Sequence, residues 1–421
     1  MDLRPSELQA ELRQAARAFL EQECPVAHVR AMADDPRGYA PELWAQLAEL
    51  GWLGLALPED HGGGGCSFAD LAVLIEAQGR HLLPSPFVPT VALAADAIAR
   101  FGSDEQRQRL LPAIVAGEHV VAVTARGWGP PDVAVRDGAL HGTAPLVPWA
   151  HVADTVLVVA RDGEGVTVAL VPADRVQAQP VQTVGRDARA DVALDGVALP
   201  DDAVLGRRGE GQRVADLLAQ RGAAAGCAAM VGACERVLEL TVGYAKEREA
   251  FGKPIGTLQA IQHHCAEMAV DLLGARGVTG EACWALDAAP HAEETARTVS
   301  VAKAWVSDAA ARIVAKGHQV HGAIGFTAEH DLPPVRAPGP GRGARPRRRR
   351  VAPRPGGGLA GALSGSKPTI QVGCVDDSGQ PSRRSAAPLM VPPSPKAGSR
   401  AGPGPGQQDH SSASRLPFSA K

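Results

Sequence analysis

The stretch of this 421-residue chain with the most chemistry in it is YAKEREAFGKPIGTLQAIQ, residues 244–262. Arg248 and Phe251 stand three apart at what reads as the end of a helix, so they share a face. Gly252 supplies a left-handed residue and Pro254 forbids continuation, which makes Phe251-Gly252-Lys253-Pro254 a helix stop. Thr257 then caps a second helix that carries Gln259 in its first turn. One corner would hold a planar cation, an aromatic ring and an amide. A guanidinium fork suits a pyrophosphate, a ring suits stacking, and an amide suits a base edge. The plainer alternative is a cation answering the helix dipole, with the phenyl ring in the core.

Other candidates carry less. His263-His264 and the pair His318 and His321 have no acid or cysteine at ligand spacing and read as packing histidines. The run Gly62–Gly65 follows no strand-to-helix pattern and reads as a loop, not a phosphate cradle. The seven cysteines form no CxxC pair, which points to buried thiols in a reducing, cytoplasmic setting. The six dispersed tryptophans read as core. The N-terminus lacks a signal-peptide apolar region, and no apolar run looks long enough to span a bilayer.

Hydrophobic periodicity predicts the elements that must position the corner. Residues 1–118 are helical, with Leu8, Leu12, Ala15, Ala16 and Phe19 on one face of a first helix capped by Ser6. Around Val120 the period falls to two. Residues 119–212 read as an antiparallel β domain, with turn signals at Asp137-Gly138, Asp162-Gly163 and Asp195-Gly196. Residues 213–332 return to long, alanine-rich helices. The expected class is therefore α+β, in the order helical domain, β domain, helical bundle.

The net charge of −3 hides a split. From Pro333 onward there are twelve arginines and three lysines against three aspartates, a charge of +12, so residues 1–332 carry −15. The segment 333–421 holds 16 of the 34 prolines and one aromatic, Phe418, with no periodic apolar face. It is expected to be disordered. A basic arm could bind nucleic acid electrostatically. The lack of stacking residues argues against this, and the composition is what a GC-rich gene yields out of frame. The bundle is then expected to be incomplete after Leu332, with apolar helix faces exposed.

From about Leu8 to Leu332 the chain resembles the acyl-CoA dehydrogenase family. The phrases LAELGWLGLALPEDHGGGG, FGSDEQRQRLLPAIVAGE, HVADTVLVVA, YAKEREAFGKPIGTLQAIQHHCAEM and QVHGAIGFTAEHDL occur in the family's order. The resemblance implies an N-terminal α domain, a β domain and a C-terminal four-helix bundle, assembled as dimers or tetramers. It implies FAD, with Arg248, Phe251 and Gln259 contacting the flavin dinucleotide of a neighbouring subunit. Gln319, Gly322, Ala323 and Gly325 would meet its adenine end, Ala323 replacing a glycine of the family pattern. Thr124 begins T-A-R where the family reads T-E-P, and LVPW (146–149) stands for W-I-T-N, where Pro148 removes a backbone donor.

The implied reaction is α,β-dehydrogenation of an acyl-CoA thioester to the trans-2-enoyl-CoA. A carboxylate takes the α-proton and the β-hydrogen leaves as hydride to flavin, while hydrogen bonds steady the thioester oxygen. Electron-transferring flavoprotein is the implied acceptor. The base departs from the pattern. One family position falls at Pro346, and the upstream alternative reads LLAQRGAAAG, with Gln220 and Arg221 and no acid. Glu329 and Asp331 match neither position, and a solvated or capping acid is the plainer reading of Glu329. The runner-up is a non-catalytic or degenerate FAD-binding partner subunit in a hetero-oligomer.

Overall fold

A computed structural model describes residues 4–125, 130–163, 165–183, 185–327 and 330–332. Expectations about Arg126, Glu329, Pro346 and the tail 333–421 lie outside the described residues.

Six helices open the chain: α1 (Glu7–Glu23), α2 (Val26–Met32), α3 (Pro41–Glu49), α4 (Phe68–His81), α5 (Asp96–Phe101) and α6 (Asp104–Val115). A π-helical stretch, Val88–Ala95, runs directly into α5. Three of the starts are capping boxes, Ser6 with Gln9, Ser67 with Asp70 and Ser103 with Gln106, so orphan amides are satisfied locally. The buried stripe of α1 is not quite the expected one. Ala16 and Leu20 are fully buried, whereas Leu8 is 43% exposed. The first turn meets α4 through a polar contact instead, Gln9 Nε2 donating to Asp70 Oδ1 at 2.9 Å.

The middle segment forms one seven-stranded sheet from β1 (Val121–Val123), β2 (Val133–Arg136), β3 (Ala139–Pro148), β4 (Thr155–Asp162), β5 (Gly165–Pro172), β6 (Gln177–Val181) and β7 (Arg189–Ala198). The expected antiparallel sheet is mixed. β1 and β2 both run parallel to β4, one after the other along a single edge, and β5 pairs antiparallel on the opposite edge. Periodicity reports alternation but not strand direction, which the connections decide. Asp137 and Gly138, with φ of 50° and 74°, make a two-residue hairpin turn between Arg136 and Ala139. Asp195-Gly196 is no turn. It lies inside β7, where Leu140 faces Val197 and His141 faces Asp195, leaving Gly196 as a bulge.

The chain then forms α7 (Gln212–Glu247), a short hairpin of β8 (Glu249–Ala250) and β9 (Lys253–Pro254), α8 (Gln259–Ala288) and α9 (Glu293–His321). Among the described residues the C-terminal segment has three long helices rather than four. α8 and α9 leave Val270 and Leu273 about 70% exposed, and Trp284, Val301 and Trp305 about half exposed. The expectation about apolar runs needs correcting. By length and composition α7 would pass for a membrane span, but 83% of its most apolar window is buried inside the protein. It is the core helix.

α4 and α7 cross at near-contact of their backbones. A Cβ on Gly232 would lie 1.9 Å from the Glu76 carbonyl oxygen, and one on Gly79 would lie 2.1 Å from that of Ala229. Two alanines therefore cannot be accommodated without separating the helices. Gly232→Ala should destabilise the fold by about 1–3 kcal/mol, as overpacking against rigid backbone does. Chemical denaturation checks this, with Gly226→Ala, which meets open space, as the control.

Candidate active site

The corner identified from sequence exists, but it is built differently. α7 stops at Glu247, one residue before Arg248, which is extended at φ −70° and ψ 121°. Phe251 and Gly252, with φ of 54° and 76°, occupy the tip of the β8–β9 hairpin. Arg248 and Phe251 thus share no helical face, and Gly252 terminates a hairpin turn rather than a helix. Left-handed backbone costs a non-glycine residue about 1–2 kcal/mol, and the hairpin is closed by Ile255 N–H donating to Arg248 O at 2.8 Å. Phe251 is 92% exposed, which rules out the reading that placed its ring in the core.

Thr257 does not cap α8. Its hydroxyl donates to Pro254 O at 2.8 Å within a 3-10 turn, and Leu258 occupies the cap position without a side-chain bond. Gln259 is then the first residue of α8 and is exposed. Tyr244, Ala245, Ile255 and Val320 form a small apolar cluster under the hairpin. Val320 belongs to the end of α9, so this cluster brings the two separated motifs together.

At that end Gly322 breaks α9 with φ 66°, and a 3-10 turn, Gly322–Phe326, follows. Gln319, Gly322 and Ala323 are exposed, whereas Gly325 is buried. A Cβ on Gly325 would lie 2.9 Å from that of His321 and 3.2 Å from Leu332 Cδ2, so the turn can sit this close only with glycine there. Thr124 belongs to another neighbourhood. It is buried behind β1, its N–H donating to Leu157 O at 3.0 Å and its hydroxyl accepting from Val159 N at 3.0 Å, both on β4.

The segment 146–149 is strained, with Leu146 at φ 56° and Trp149 at φ 60°. The amide of Leu146 donates to Asp191 Oδ1 at 2.8 Å and that of Trp149 to Ala188 O at 3.1 Å. These donors are already spent within the sheet. The clefts do not help either. A cavity of about 230 Å³ lies among α1, α2, α4 and α7, lined by Cys24, Val29, Arg80, His81 and Arg236, and contains none of the residues expected to bind cofactor.

The position at which the resemblance would place an upstream base holds a buried cation. Arg221 is only 3% exposed, its Nε lies 3.0 Å from Asp96 Oδ2, and its guanidinium stands 4.6 Å over the Phe68 ring. Asp96 also receives Arg100 Nε at 2.9 and 3.0 Å. Next to Phe68, Asp287 of α8 accepts the N–H groups of Phe68 and Ala69 at 2.9 Å each, capping α4 from a distance. Burial nonetheless raises the Asp287 carboxyl above its ordinary range. Sequence reading missed Asp96 and Asp287 because their partners lie far along the chain. Cys24, Cys227 and Cys234 are buried as expected, desolvation pushing their thiols up to about 12, whereas Cys66 and Cys265 are only half-buried.

Comparison with known proteins settles the class. Sequence models for the N-terminal and C-terminal domains of acyl-CoA dehydrogenases match residues 6–118 and 209–336. The chain belongs to the acyl-CoA dehydrogenase family. It is 32% identical to acyl-CoA dehydrogenase IpdE2 of Mycobacterium tuberculosis over 332 residues, covering 78% of this chain and 89% of the relative. With FadE27 of the same organism it shares 30% over 344 residues, 79% of this chain and 91% of the relative. Among solved structures it is similar to the ChsE4–ChsE5 complex from Mycobacterium tuberculosis, at TM-score 0.73 and 29% identity over 80% of this chain and 92% of that one. It is likewise similar to a variant of the Tcur3481–Tcur3483 steroid acyl-CoA dehydrogenase, at TM-score 0.70 and 31% identity over 78% and 90%.

The Asp96–Arg221 pair ties α5 to α7, and its loss is measurable. Asp96→Ala leaves a buried guanidinium unpaired and should cost about 3–5 kcal/mol, whereas Asp96→Leu with Arg221→Met should recover most of it. A double-mutant cycle on urea denaturation reads both.

Proposed function

We propose that the chain works in FAD-dependent α,β-dehydrogenation of an acyl-CoA thioester, and that its flavin-contacting edge serves a neighbouring subunit. The observation that carries this reading is Phe251. A large ring 92% exposed, on a hairpin tip held in strained backbone beside exposed Arg248 and Gln259, is arranged to be covered by something else. The fit to a dinucleotide is chemical. Arg248 supplies a fork for the pyrophosphate, Phe251 a face for packing, and Gln259 an amide at a helix start that has no side-chain cap. Gln319 and the exposed backbone of Gly322 and Ala323 offer contacts to the adenine end, with Gly325 letting the turn lie close. Thr124, whose hydroxyl already accepts from Val159, retains its hydroxyl proton as a donor beside the middle sheet. The partition into 1–118, 119–212 and 213–332 belongs to the same proposal.

FAD, when bound, supplies the acceptor for the β-hydride. This chain's residues bind and orient the dinucleotide and exclude water from it. Electron-transferring flavoprotein is the proposed onward acceptor and the cytoplasm the proposed compartment.

A second reading has its own support: the chain is the cofactor-binding, base-lacking subunit of a hetero-oligomer. Arg221 is a buried guanidinium paired with Asp96; already protonated, it has no lone pair to take an α-proton, and no described carboxylate occupies either family position. A relative of 29% identity is described as a complex of two named chains, ChsE4 and ChsE5.

The visible spectrum of the purified protein, before and after anaerobic addition of an acyl-CoA panel, tests both. Bleaching of an oxidised flavin spectrum establishes dehydrogenation by the chain alone. A flavin spectrum that stays oxidised, then bleaches once an acid-bearing paralogue is added, establishes the second reading. Absence of flavin sinks both. Phe251→Ala should lower flavin retention about tenfold while changing folding stability by less than about 0.5 kcal/mol, as for an exposed side chain.

A further inference from the structure

The end of α9 carries a stack of rings that the proposed chemistry does not use. Tyr244 of α7 lies face to face with His321, ring centres 4.5 Å apart at 23°. His330 meets the same imidazole edge-on at 4.8 Å and 72°. One turn earlier His318 stacks on Phe326 at 4.6 Å and 20°. His318 and His321 are 8% and 4% exposed. The 3-10 turn Gly322–Phe326 rests on these rings, since a Cβ on Gly325 would lie 2.9 Å from His321 Cβ and 3.4 Å from His318 Nδ1.

Hydrogen bonds settle which nitrogens carry protons. His321 Nδ1 lies 2.8 Å from Gly317 O, which can only accept, so Nδ1 is the donor and Nε2 holds a lone pair. That Nε2 is buried and meets no hydrogen-bond partner among the described residues. Leu332 N–H donates to His330 Nδ1 at 3.0 Å, so that nitrogen is an acceptor. A second proton on His321 would therefore enter an apolar, ring-lined space with nothing to receive it.

Among the described residues nothing gives such a cation a counter-charge. His318 faces it from its own helix, Tyr244 from α7, and His330 from the last described residues. Asp331, next to His330, is held by Arg30 of α2 at 3.1 Å. Burial first, then the neighbouring His330 and His318, hold His321 below the ordinary imidazole value of 6.5, against the bond to Gly317.

We propose that His321 is a positioning residue for the turn Gly322–Phe326, gripping it only while its imidazole is neutral, so that the turn loosens as His321 takes up a proton. The consequence for cofactor rests on reading Gly322, Ala323 and Gly325 as contacts for the adenine end of FAD. The sign follows from the lowered value in the folded state. The grip is complete above 6.5, where both states are neutral, and weakens as pH falls through that value, because the released state binds the proton more tightly.

Hydrogen exchange of residues 317–327 in the full chain, corrected for intrinsic rates, tests this between about pH 7.5 and about pH 5.5. FAD affinity is measured in parallel by flavin fluorescence. Protection of the turn should fall by up to about tenfold per pH unit below 6.5, the slope of opening coupled to one proton. FAD affinity should fall along the same curve. His321→Asn keeps a donor toward Gly317 and cannot protonate, so it should be flat in pH. Should that variant misfold, His330→Asn, beyond the end of α9, must reduce the slope. Protection of the wild type that is constant with pH, or an equal slope in the variants, overturns the proposal. A turn that loosens in a protein binding no FAD at any pH supports His321's role and removes the cofactor reading of the glycines.

Discussion

The close crossing of α4 over α7, with Gly79 and Gly232 each pressed against the other helix's carbonyl oxygen, sets the geometry on which the remainder of the protein depends. It fixes the depth of a 36-residue helix that reaches from the sheet at one end to the hairpin at the other. Everything with chemical promise hangs on that helix or its neighbours. Arg221 projects from its first half into the helical core, and Arg248 stands just past its last residue. A helix whose apolar length would suit a bilayer is instead consumed by packing on several sides.

Two uses of charge separate function from scaffold. Arg221 is buried, paired with the Asp96 carboxylate that it shares with Arg100, and stacked on Phe68, so its positive charge is held where it stands. Arg248 is exposed on an edge beside an exposed ring. A guanidinium in the first setting steadies helices; in the second it can meet a ligand. The pair Arg221 and Asp96 is part of the scaffold. The edge formed by Arg248, Phe251 and Gln259 still has a composition suited to a dinucleotide, and the apolar cluster containing Ile255 and Val320 ties it to the turn after α9.

Much of this was legible before any coordinates. The Ser6 cap and the change of period near Val120 were visible because caps and periodicity are local. The Asp137-Gly138 turn was equally plain, but Asp195-Gly196 was a bulge with the same signature, since a left-handed glycine serves both. The parallel edge of β4 was hidden because alternation does not encode strand direction. Phe251-Gly252 looked like a helix stop and proved to be a hairpin tip. Gly and Pro forbid helix there without saying what replaces it.

Sequence alone determined the class of elements, their order, the family and the residue types gathered at the corner after α7, because these rest on local pattern and spacing. Tertiary structure alone decided that Phe251 faces outward, that Thr257 does not cap α8, that Arg221 pairs with Asp96, and that His321 lies between Tyr244 and His330. Each of those depends on groups far apart in the chain meeting at a few ångströms. The energy of a buried charge or ring is set by what surrounds it, not by its neighbours in sequence.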